Sequence, residues 1–304
     1  MQRIIDEILD EGRIRIPYGK TATYIPELSK MNQEYLGICI HTREGEVYKS
    51  GDAGVRFTIQ SISKVISLAV ALEVCGYDAI FAAVGMEPSG ESFNSLITLD
   101  LDSDHPHNPM LNSGAIAISS YLAGEIPFEK MLTFTRKLCM DEAIVLDKKT
   151  YQSEFDHLSR NRAIAYLLES KGVLKNTVEN SLDYYVRMCS LSVTAESLAN
   201  FGLVLALDGI HPITGERLLS SKVVQTVKTI MLTCGMYDGS GTFAVEVGVP
   251  SKSGVGGGIL SVVDKRMGIG IFGPALDEKG NSVAGQHVLK LLSKELKLHM
   301  FAAE

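Results

Sequence analysis

The sequence has few cysteines and no long apolar run. Its 304 residues include five cysteines, and no two of them form a C-x-x-C pair. An odd number of widely spaced cysteines argues against a disulfide framework or a zinc site, so we expect mostly buried, free thiols. The most apolar window, Val65 to Cys75, contains Glu73 and is too short to span a bilayer. The sequence therefore predicts a fold without disulfides, structural zinc or a membrane span.

Concentrated positive charge and an apolar leader are missing as well. The chain has 29 Lys and Arg against 36 Asp and Glu, a net charge of −7, and no basic run reaches five residues. We therefore expect neither a nucleic-acid nor a membrane partner. The start of the chain, MQRIIDEILDEGRIRIP, is charged throughout and lacks the apolar stretch of a signal peptide. Together with the cysteine pattern, this predicts a cytoplasmic protein.

The overall composition is that of an ordinary globular protein. Hydrophobic residues make up 45% of the chain and charged residues 21%, with 28 Gly and 9 Pro. These values exclude a disordered, collagenous or coiled-coil protein. A chain of about 300 residues lies where a single core stops growing, so one large domain and two lobes are both compatible with its length.

Strand patterns lie at both ends of the chain and helical patterns fill the middle. After a short amphipathic helix over 1–11, alternation around Leu36–Ile40 and a turn before Val47 predict a β-hairpin. The glycine-rich segment 243–282 predicts two or three further strands. The predicted helices are 61–75, 112–122, 127–139, 150–172, 179–188, 194–207, 215–234 and 282–300.

The simplest architecture is an α+β fold in which the N-terminal hairpin and the C-terminal strands share one antiparallel sheet. We expect a single domain over 1–304 with two sub-lobes. One consists of 1–76 plus 240–304 and holds the sheet with its flanking helices, and the other is the helical 77–239. The buried helix that begins at Ser61 is expected to pack between them.

One S-x-x-K motif, Ser61-Ile62-Ser63-Lys64, lies at the start of the most apolar helix. Residues three apart face the same side of a helix. A serine hydroxyl needs a base before it becomes a nucleophile, and burial lowers the pKa of a lysine towards that role. A helix N-terminus also offers free N–H groups to a developing oxyanion. The motif predicts serine acyl transfer with a lysine base; the alternative is a helix-capping Ser61 and a Lys64 that extends to solvent.

A second motif, Lys252-Ser253-Gly254, precedes a glycine-rich turn near the C-terminus. K-[S/T]-G accompanies S-x-x-K in penicillin-recognising enzymes, and its strand can supply an oxyanion N–H, here that of Val255. Lys49-Ser50-Gly51 spells the same motif, but only the later copy leads into glycines that let backbone approach a ligand. We expect the later copy to belong to the site; the alternative for its glycines is a bulge or a hairpin turn.

No metal or dinucleotide site is predicted. His105, His107 and His157 lack metal-binding spacing and are interpreted as structural or surface residues. The run GVGGGI places Ile259 where the third glycine of G-x-G-x-x-G would stand, and strand-like sequence follows it instead of a helix.

Several further blocks follow one another along the chain, namely YIPEL, FTIQSISKV, NPMLNSGAIA, SE with RN seven residues later, YYVRMCS, GMYDGSG and KSGVGGGI. Taken together, from about residue 17 to residue 275, they closely resemble the serine-dependent glutaminase family. The resemblance implies the β-lactamase and penicillin-binding-protein fold and the conversion of L-glutamine and water to L-glutamate and ammonia. It also implies no metal or organic cofactor, and a homo-oligomer, either a dimer or a tetramer.

The resemblance assigns a role to each matching residue. Ser61 matches the nucleophile and Lys64 its base, and the N–H groups of Ser61 and Val255 match the oxyanion hole. Tyr237 lies near the leaving amide as a candidate proton donor. The residues matched to substrate binding are Asn112, Glu154, Asn161 and Tyr185 at the α-amino and α-carboxylate ends, Tyr24 along the pocket, and Ser61, Tyr237 and Val255 at the amide.

Other interpretations of these residues and of the whole chain stay open. Asn112 would also suit a helix cap, Glu154 and Asn161 a solvated helix face, and Tyr185 and Tyr237 half-buried aromatics. The S-x-N element of penicillin-recognising enzymes is not evident, and either tyrosine could replace its hydroxyl. The alternative functions are another serine amidase or β-lactamase-like hydrolase, or a non-catalytic ligand-binding protein on the same fold.

Overall fold

Strands from both ends of the chain form one antiparallel sheet in a computed structural model, which describes residues 1–90, 95 and 104–302. The strands are β1 Gly37–Thr42, β2 Val47–Gly51, β3 Phe57–Thr58, β4 Ser192–Val193, β5 Ser251–Ser253, β6 Gly258–Val263 and β7 Met267–Phe272. Five of them pair in the order β2-β1-β7-β6-β5, while β3 and β4 form a separate two-stranded sheet. The predicted α+β fold and N-terminal hairpin are confirmed.

The helices cover both faces of this sheet and build the rest of the molecule. In chain order they are α1 Gln2–Arg13, α2 Ser63–Val74, α3 Tyr77–Ala83, α4 Asn112–Glu125, α5 Phe128–Cys139, α6 Lys148–Asp156, α7 Ser159–Ser170, α8 Val178–Cys189, α9 Ala195–Ala206, α10 Ser221–Cys234, α11 Ser240–Glu246 and α12 Val283–Glu295. Two short 3-10 turns, Gln60–Ile62 and Tyr237–Gly239, matter for the site described below.

Each face of the sheet is closed by a different set of apolar side chains. On one face α1 and α12 pack together and share a core with the alternate isoleucines Ile38 and Ile40 of β1. On the other face α9 lies against β7, β1 and β6. Because β1 pairs on both of its edges and is covered on both faces, all of its residues are buried.

Helix α9 approaches β7 closely because β7 presents glycines to it. A Cβ built on Gly270 would lie 1.9 Å from the carbonyl oxygen of Ala195, and one on Gly268 would lie 2.0 Å from that of Ala199. Backbone oxygens cannot move away as the end of a flexible side chain can. The alternating M-G-I-G-I-F sequence of β7 therefore fixes how near the helix lies to the sheet.

We expect Gly270→Ala to lower the free energy of unfolding by about 1–3 kcal/mol or more, because the methyl group overpacks the interface between α9 and β7. Chemical denaturation measures the change. The matched control is Gly241→Ala in α11, where an added Cβ meets no atom within 4 Å. Equal stability of the two variants would contradict this account of the interface.

The second core lies among the helices. Helix α2 is buried over nearly its whole length and packs mainly on α4 and α10. The 3-10 turn that leads into it contacts β5 and β6. The buried helix therefore meets the sheet through its N-terminal turn, which is where Ser61 lies. The proposed division into two sub-lobes stays a prediction, and 91–94 and 96–103 of the predicted helical lobe lie outside the described residues.

Four predicted elements differ from those observed, the first being the helix predicted over 282–300, which ends at Glu295. The helix predicted over 150–172 is two helices, α6 and α7, because the chain breaks at His157 and buries Leu158 between them. The helix predicted from residue 215 begins at Ser221, after a turn in which Gly215 has a φ of +70°. The start of the predicted strand segment, Phe243 to Glu246, is helical in α11, since a stretch this short matches both periodicities.

Candidate active site

Ser61 lies in the 3-10 turn that runs directly into α2. The preceding residue, Gln60, has a φ of +48°, a left-handed conformation that a non-glycine residue adopts only where its surroundings hold it. Ser61 is buried, and the N-cap position of α2 is Ile62, with no side-chain cap. The helix-capping interpretation of Ser61 is therefore wrong, and its hydroxyl is available for another role.

Lys64 lies wholly inside the protein. Its Nζ donates to the backbone oxygen of Met110 at 3.0 Å and to Oδ1 of Asn112 at 2.7 Å. Burial, which disfavours the charged form, lowers the pKa of Lys64 to about 8, although Cys189 and Glu154 act in the opposite direction. The solvent-directed interpretation of Lys64 is wrong, because only 2% of the residue is exposed.

The Asn112 side chain joins three of the predicted residues. Its Oδ1 accepts from Lys64 and, at 3.3 Å, from the Tyr185 hydroxyl, while its Nδ2 donates to Oδ1 of Asn161 at 3.0 Å. Asn112 is the first residue of α4 and makes no side-chain cap. The structure thus brings α2, α4, α7 and α8 together at one amide group, and Asn112 is not a helix cap.

Glu154 provides a buried carboxyl group near this cluster. Burial raises the pKa of Glu154 to about 7, opposed by a hydrogen bond from Gln60 and by the charge of Lys64. Gln60 Nε2 lies 3.4 Å from Oε2 of Glu154. The break between α6 and α7 places Glu154 and Asn161 on different helices, and Glu154 is only 6% exposed, so a solvated face of one helix does not describe the pair.

Tyr24 and Tyr237 complete the aromatic part of the site. Tyr24 is half exposed, and desolvation together with Tyr237 and Glu154 raises the pKa of Tyr24 well above its ordinary value. Tyr237 has a φ of +54° and is buried. Burial raises the pKa of Tyr237, opposed chiefly by hydrogen bonding to Ser61 and to the backbone of Val255. These contacts bring Tyr237, Ser61 and Val255 together.

The later K-S-G motif reaches the site because its glycines allow backbone to pack on backbone. A Cβ on Gly254 would lie 2.8 Å from the Ile59 oxygen, and one on Gly256 would lie 2.4 Å from the Thr58 oxygen. Val255, between them, is therefore held against the segment that leads into Ser61. The earlier copy lies on the edge strand β2, where Lys49 forms an ion pair with Glu196.

Three neighbouring residues were not among those assigned from the sequence. Gln60 contacts Glu154, and the thiol of Cys189 lies 3.8 Å from the Ser63 hydroxyl, one helical turn after Tyr185. Lys252 is fully buried, donates to the oxygens of Gly235 and Ser253, and lies 4.3 Å from the centre of the Tyr237 ring. Burial and the charge of Lys64 lower the pKa of Lys252 well below its ordinary value. The motif pointed to Lys252; no local signal marked Gln60 or Cys189.

Cavities open beside the cluster. One of about 600 Å³ is lined by the segment 18–24, by Val255, by residues 276–278 and by Gly280. Another of about 300 Å³ is lined in part by Met110, Leu111 and Tyr237. A small polar ligand could therefore approach Val255 and the hydroxyl end of Tyr24 from solvent.

The histidines and cysteines play no part in this arrangement beyond Cys189. His157 is exposed, and its Nδ1 lies 2.7 Å from the Ser153 oxygen. Four of the five cysteines are buried and all are free, as predicted. Within residues 1–90, 95 and 104–302, no group of three or more His, Cys, Asp or Glu side chains could hold a metal ion. Over the same residues, no helix has both the length and the apolar character needed to cross a bilayer.

Comparisons with known proteins agree along the whole chain. The family model described as Glutaminase matches residues 19–301. Glutaminase 2 of Clostridium perfringens is 50% identical over 99% of this chain and all of its own length, and a Clostridium botulinum glutaminase is 49% identical over the same shares. A probable glutaminase of Bacillus subtilis has a solved structure with 38% identity and a TM-score of 0.92, covering 99% of this chain and 97% of its own.

A second structure of the probable Bacillus subtilis glutaminase is a complex with 6-diazo-5-oxo-L-norleucine. It has 38% identity, a TM-score of 0.90 and the same coverage of 99% and 97%. A further structure is that of the Bacillus subtilis glutaminase YbgJ, with 36% identity, a TM-score of 0.88 and 99% coverage of each chain. Its reaction with the same compound has formed a covalent complex with 5-oxo-L-norleucine.

Proposed function

This chain belongs to the glutaminase family and is a glutaminase enzyme, and we propose that it hydrolyses L-glutamine through an acyl-enzyme on Ser61. The observation that carries the proposal is the environment of Lys64. Its amine lies among neutral oxygens, with a pKa lowered to about 8, three residues after a buried serine. A lysine that is partly neutral near neutral pH can take the proton of a serine hydroxyl.

In the first step, Lys64 removes the Ser61 proton and the Ser61 Oγ attacks the side-chain amide carbon of glutamine. The carbonyl oxygen then carries a negative charge. We propose that the backbone N–H groups of Ser61 and Val255 stabilise this charge by hydrogen bonding. The packing of Gly254 and Gly256 on the segment before Ser61 supports this assignment, because it holds the two backbone segments together.

In the second step, the C–N bond breaks and the leaving nitrogen takes a proton to become ammonia. We assign this proton to Tyr237, whose hydroxyl is protonated near neutral pH and interacts with Ser61. The neighbouring Tyr185 is the alternative donor, but its hydroxyl donates to Asn112. Water then attacks the ester carbon and gives a proton to the Tyr237 phenolate, the ester C–O bond breaks, and Lys64 returns its proton to Ser61 as L-glutamate leaves.

The ends of the substrate match the remaining side chains. Glu154 can pair with the α-ammonium group, while Asn112, Asn161 and Tyr185 can orient the α-carboxylate end through amide and phenol donors. Tyr24 would border the pocket. Discrimination between glutamine and asparagine would follow from the distance between these groups and Ser61, since asparagine is one methylene shorter.

The covalent complex of one relative supports a nucleophilic mechanism. In the Bacillus subtilis protein, a diazo analogue of norleucine forms a covalent complex. For this chain we propose that the corresponding attack comes from Ser61. We further propose that the protein works in the cytoplasm. We also propose that it is a homo-oligomer, a dimer or a tetramer, and light scattering of the purified protein tests this oligomeric state directly.

The proposed reaction is tested by incubating the purified protein with L-glutamine and measuring L-glutamate and ammonia together. We expect equal amounts of both products, no effect of EDTA, and much slower turnover of L-asparagine, because a shorter chain cannot bring its amide to Ser61 while its α-groups stay bound. Release of ammonia that depends on a metal, or equal rates with asparagine, would contradict the mechanism.

A further inference from the structure

The two hydrogen-bond partners of Lys64 match one protonation state of its amine better than the other. A neutral amine has two N–H groups and one lone pair, whereas an ammonium group has three N–H groups. Lys64 donates to the Met110 backbone oxygen and to Oδ1 of Asn112, so both donors of the neutral form are used. Both of these partners are neutral oxygens, whereas Glu154 acts on Lys64 through its charge. A neutral Lys64 amine would therefore have both of its N–H groups bonded, and its lone pair would remain for the Ser61 proton.

The orientation of the Asn112 amide follows from its other bonds. Its nitrogen donates to the Asn161 oxygen, and its oxygen also accepts from the Tyr185 hydroxyl. A rotated amide would direct N–H groups at both Lys64 and Tyr185 and its oxygen at the oxygen of Asn161. Three partners on three helices therefore keep a neutral acceptor against the Lys64 amine.

We infer that Asn112 is a positioning residue for the base: its amide oxygen directs the lone pair of Lys64 and links the base to Asn161 and Tyr185. The inference rests on the proposed role of Lys64 in removing the Ser61 proton. It adds to the substrate-binding role of Asn112 a role in the chemical step, through a bond of 2.7 Å to the group that takes the proton.

Other charged and titratable groups also face Lys64. Glu154 of α6 and Cys189 of α8 raise its pKa, while Lys252 of β5 is a second cation whose own pKa the charge of Lys64 lowers. Tyr185 reaches Lys64 through the shared Asn112 oxygen. A carboxylate in place of the amide would add a negative charge in direct contact with Lys64, closer than any carboxylate now is.

The test labels Ser61 with a fluorophosphonate probe across a pH series, in the full-length protein and in Asn112→Asp. Ser61 Oγ forms a bond to phosphorus, fluoride leaves, and Lys64 takes the serine proton, so no glutamine is needed. We expect the labelling rate of the unchanged protein to rise with pH through about 8. In Asn112→Asp the same rise should lie about 1–3 pH units higher, because an opposite charge at contact distance favours the ammonium form.

A second variant separates positioning from charge. Asn112→Ser removes the acceptor without adding charge, and we expect its plateau labelling rate to fall by about 10²-fold with no upward shift in pH, because a misplaced base is less effective. In glutamine turnover, Asn112→Ser should lower kcat. Asn161→Ser, one hydrogen bond further from Lys64 along the same chain, should lower kcat less than Asn112→Ser does and should also raise KM. Melting temperatures show whether each variant folds.

The outcomes separate this inference from the proposed function. Absence of labelling at Ser61 in the unchanged protein, or a rate independent of pH, overturns the serine–lysine mechanism itself. The positioning role alone is overturned if the labelling rate of Asn112→Asp rises at the same pH as that of the unchanged protein. It is also overturned if Asn112→Ser does not lower the plateau labelling rate.

Discussion

Replacing Ser61 with alanine is expected to reduce kcat for glutamine by about 10⁶-fold, the loss that follows removal of the nucleophile from a serine hydrolase. The methyl group cannot form an acyl-enzyme, and Lys64 then has no hydroxyl to deprotonate. The change is small in volume and Ser61 is not a helix cap, so the fold should be retained. Ammonia and glutamate release, measured over long incubations at high enzyme concentration, gives the residual rate.

Ser63 provides the matched control for Ser61. It is a buried serine two residues later in the same motif, and its Oγ lies 3.8 Å from the Cys189 thiol. We expect Ser63→Ala to keep most of the activity, since no step of the mechanism uses its hydroxyl. Residual activity in Ser61→Ala close to that of Ser63→Ala would show that another residue is the nucleophile.

The second large effect is expected at Glu154. In Glu154→Gln the α-ammonium group of glutamine would enter a buried site without a counter-charge. Loss of one partner of a buried charge pair costs about 2–5 kcal/mol, so kcat/KM should fall by roughly 30-fold to several thousand-fold. Steady-state kinetics with glutamine measures the change, and Asp156→Asn, an exposed carboxylate at the end of the same helix, is the control.

The role of Glu154 can also be tested by comparing the pH dependence of kcat/KM in the unchanged enzyme and in Glu154→Gln. The carboxyl must be ionised to bind the ammonium group, and its pKa is raised to about 7, so binding weakens as pH falls through that value. Lys64 must be neutral, and its pKa is lowered to about 8, so the chemical step also weakens on the acid side. Below pH 7, we expect a plot of log kcat/KM against pH to have a slope of two in the unchanged enzyme, because two groups take up a proton. In Glu154→Gln we expect a slope of one. An identical acid limb in both would contradict the assignment.

Much of this molecule could be inferred from local patterns in the chain. Alternating residues from Leu36 to Ile40 and in the glycine-rich C-terminal segment predicted the sheet, and the sheet is built from those strands. The unbroken apolar character of the segment after Ser61 predicted a buried helix, and the structure buries that helix and, with it, Lys64. These features depend on neighbours within one or two turns, and their periodicity is visible in the sequence.

Local patterns predicted the wrong secondary structure where a segment was compatible with two conformations. The segment 150–172 has helical character throughout, but burial of Leu158 breaks it and separates Glu154 from Asn161. Phe243 to Glu246 fits a strand or a helix, and packing in the core next to the sheet selects the helix. Tertiary contacts outweigh a short periodic signal in both cases, because burying one large side chain contributes more than local propensity.

The chemistry of the site likewise depends partly on local sequence and partly on tertiary structure. The pairing of a serine with a lysine was readable from the sequence, because residues three apart share a helix face. The state of that lysine was not readable, because it depends on Asn112, which is 48 residues distant in the chain, and through it on Tyr185, a further 73 away. Those distances are closed only when α4 and α8 pack beside α2. A hydrogen bond of this kind leaves no periodic trace in the sequence, so the folded chain alone shows which oxygen faces the base.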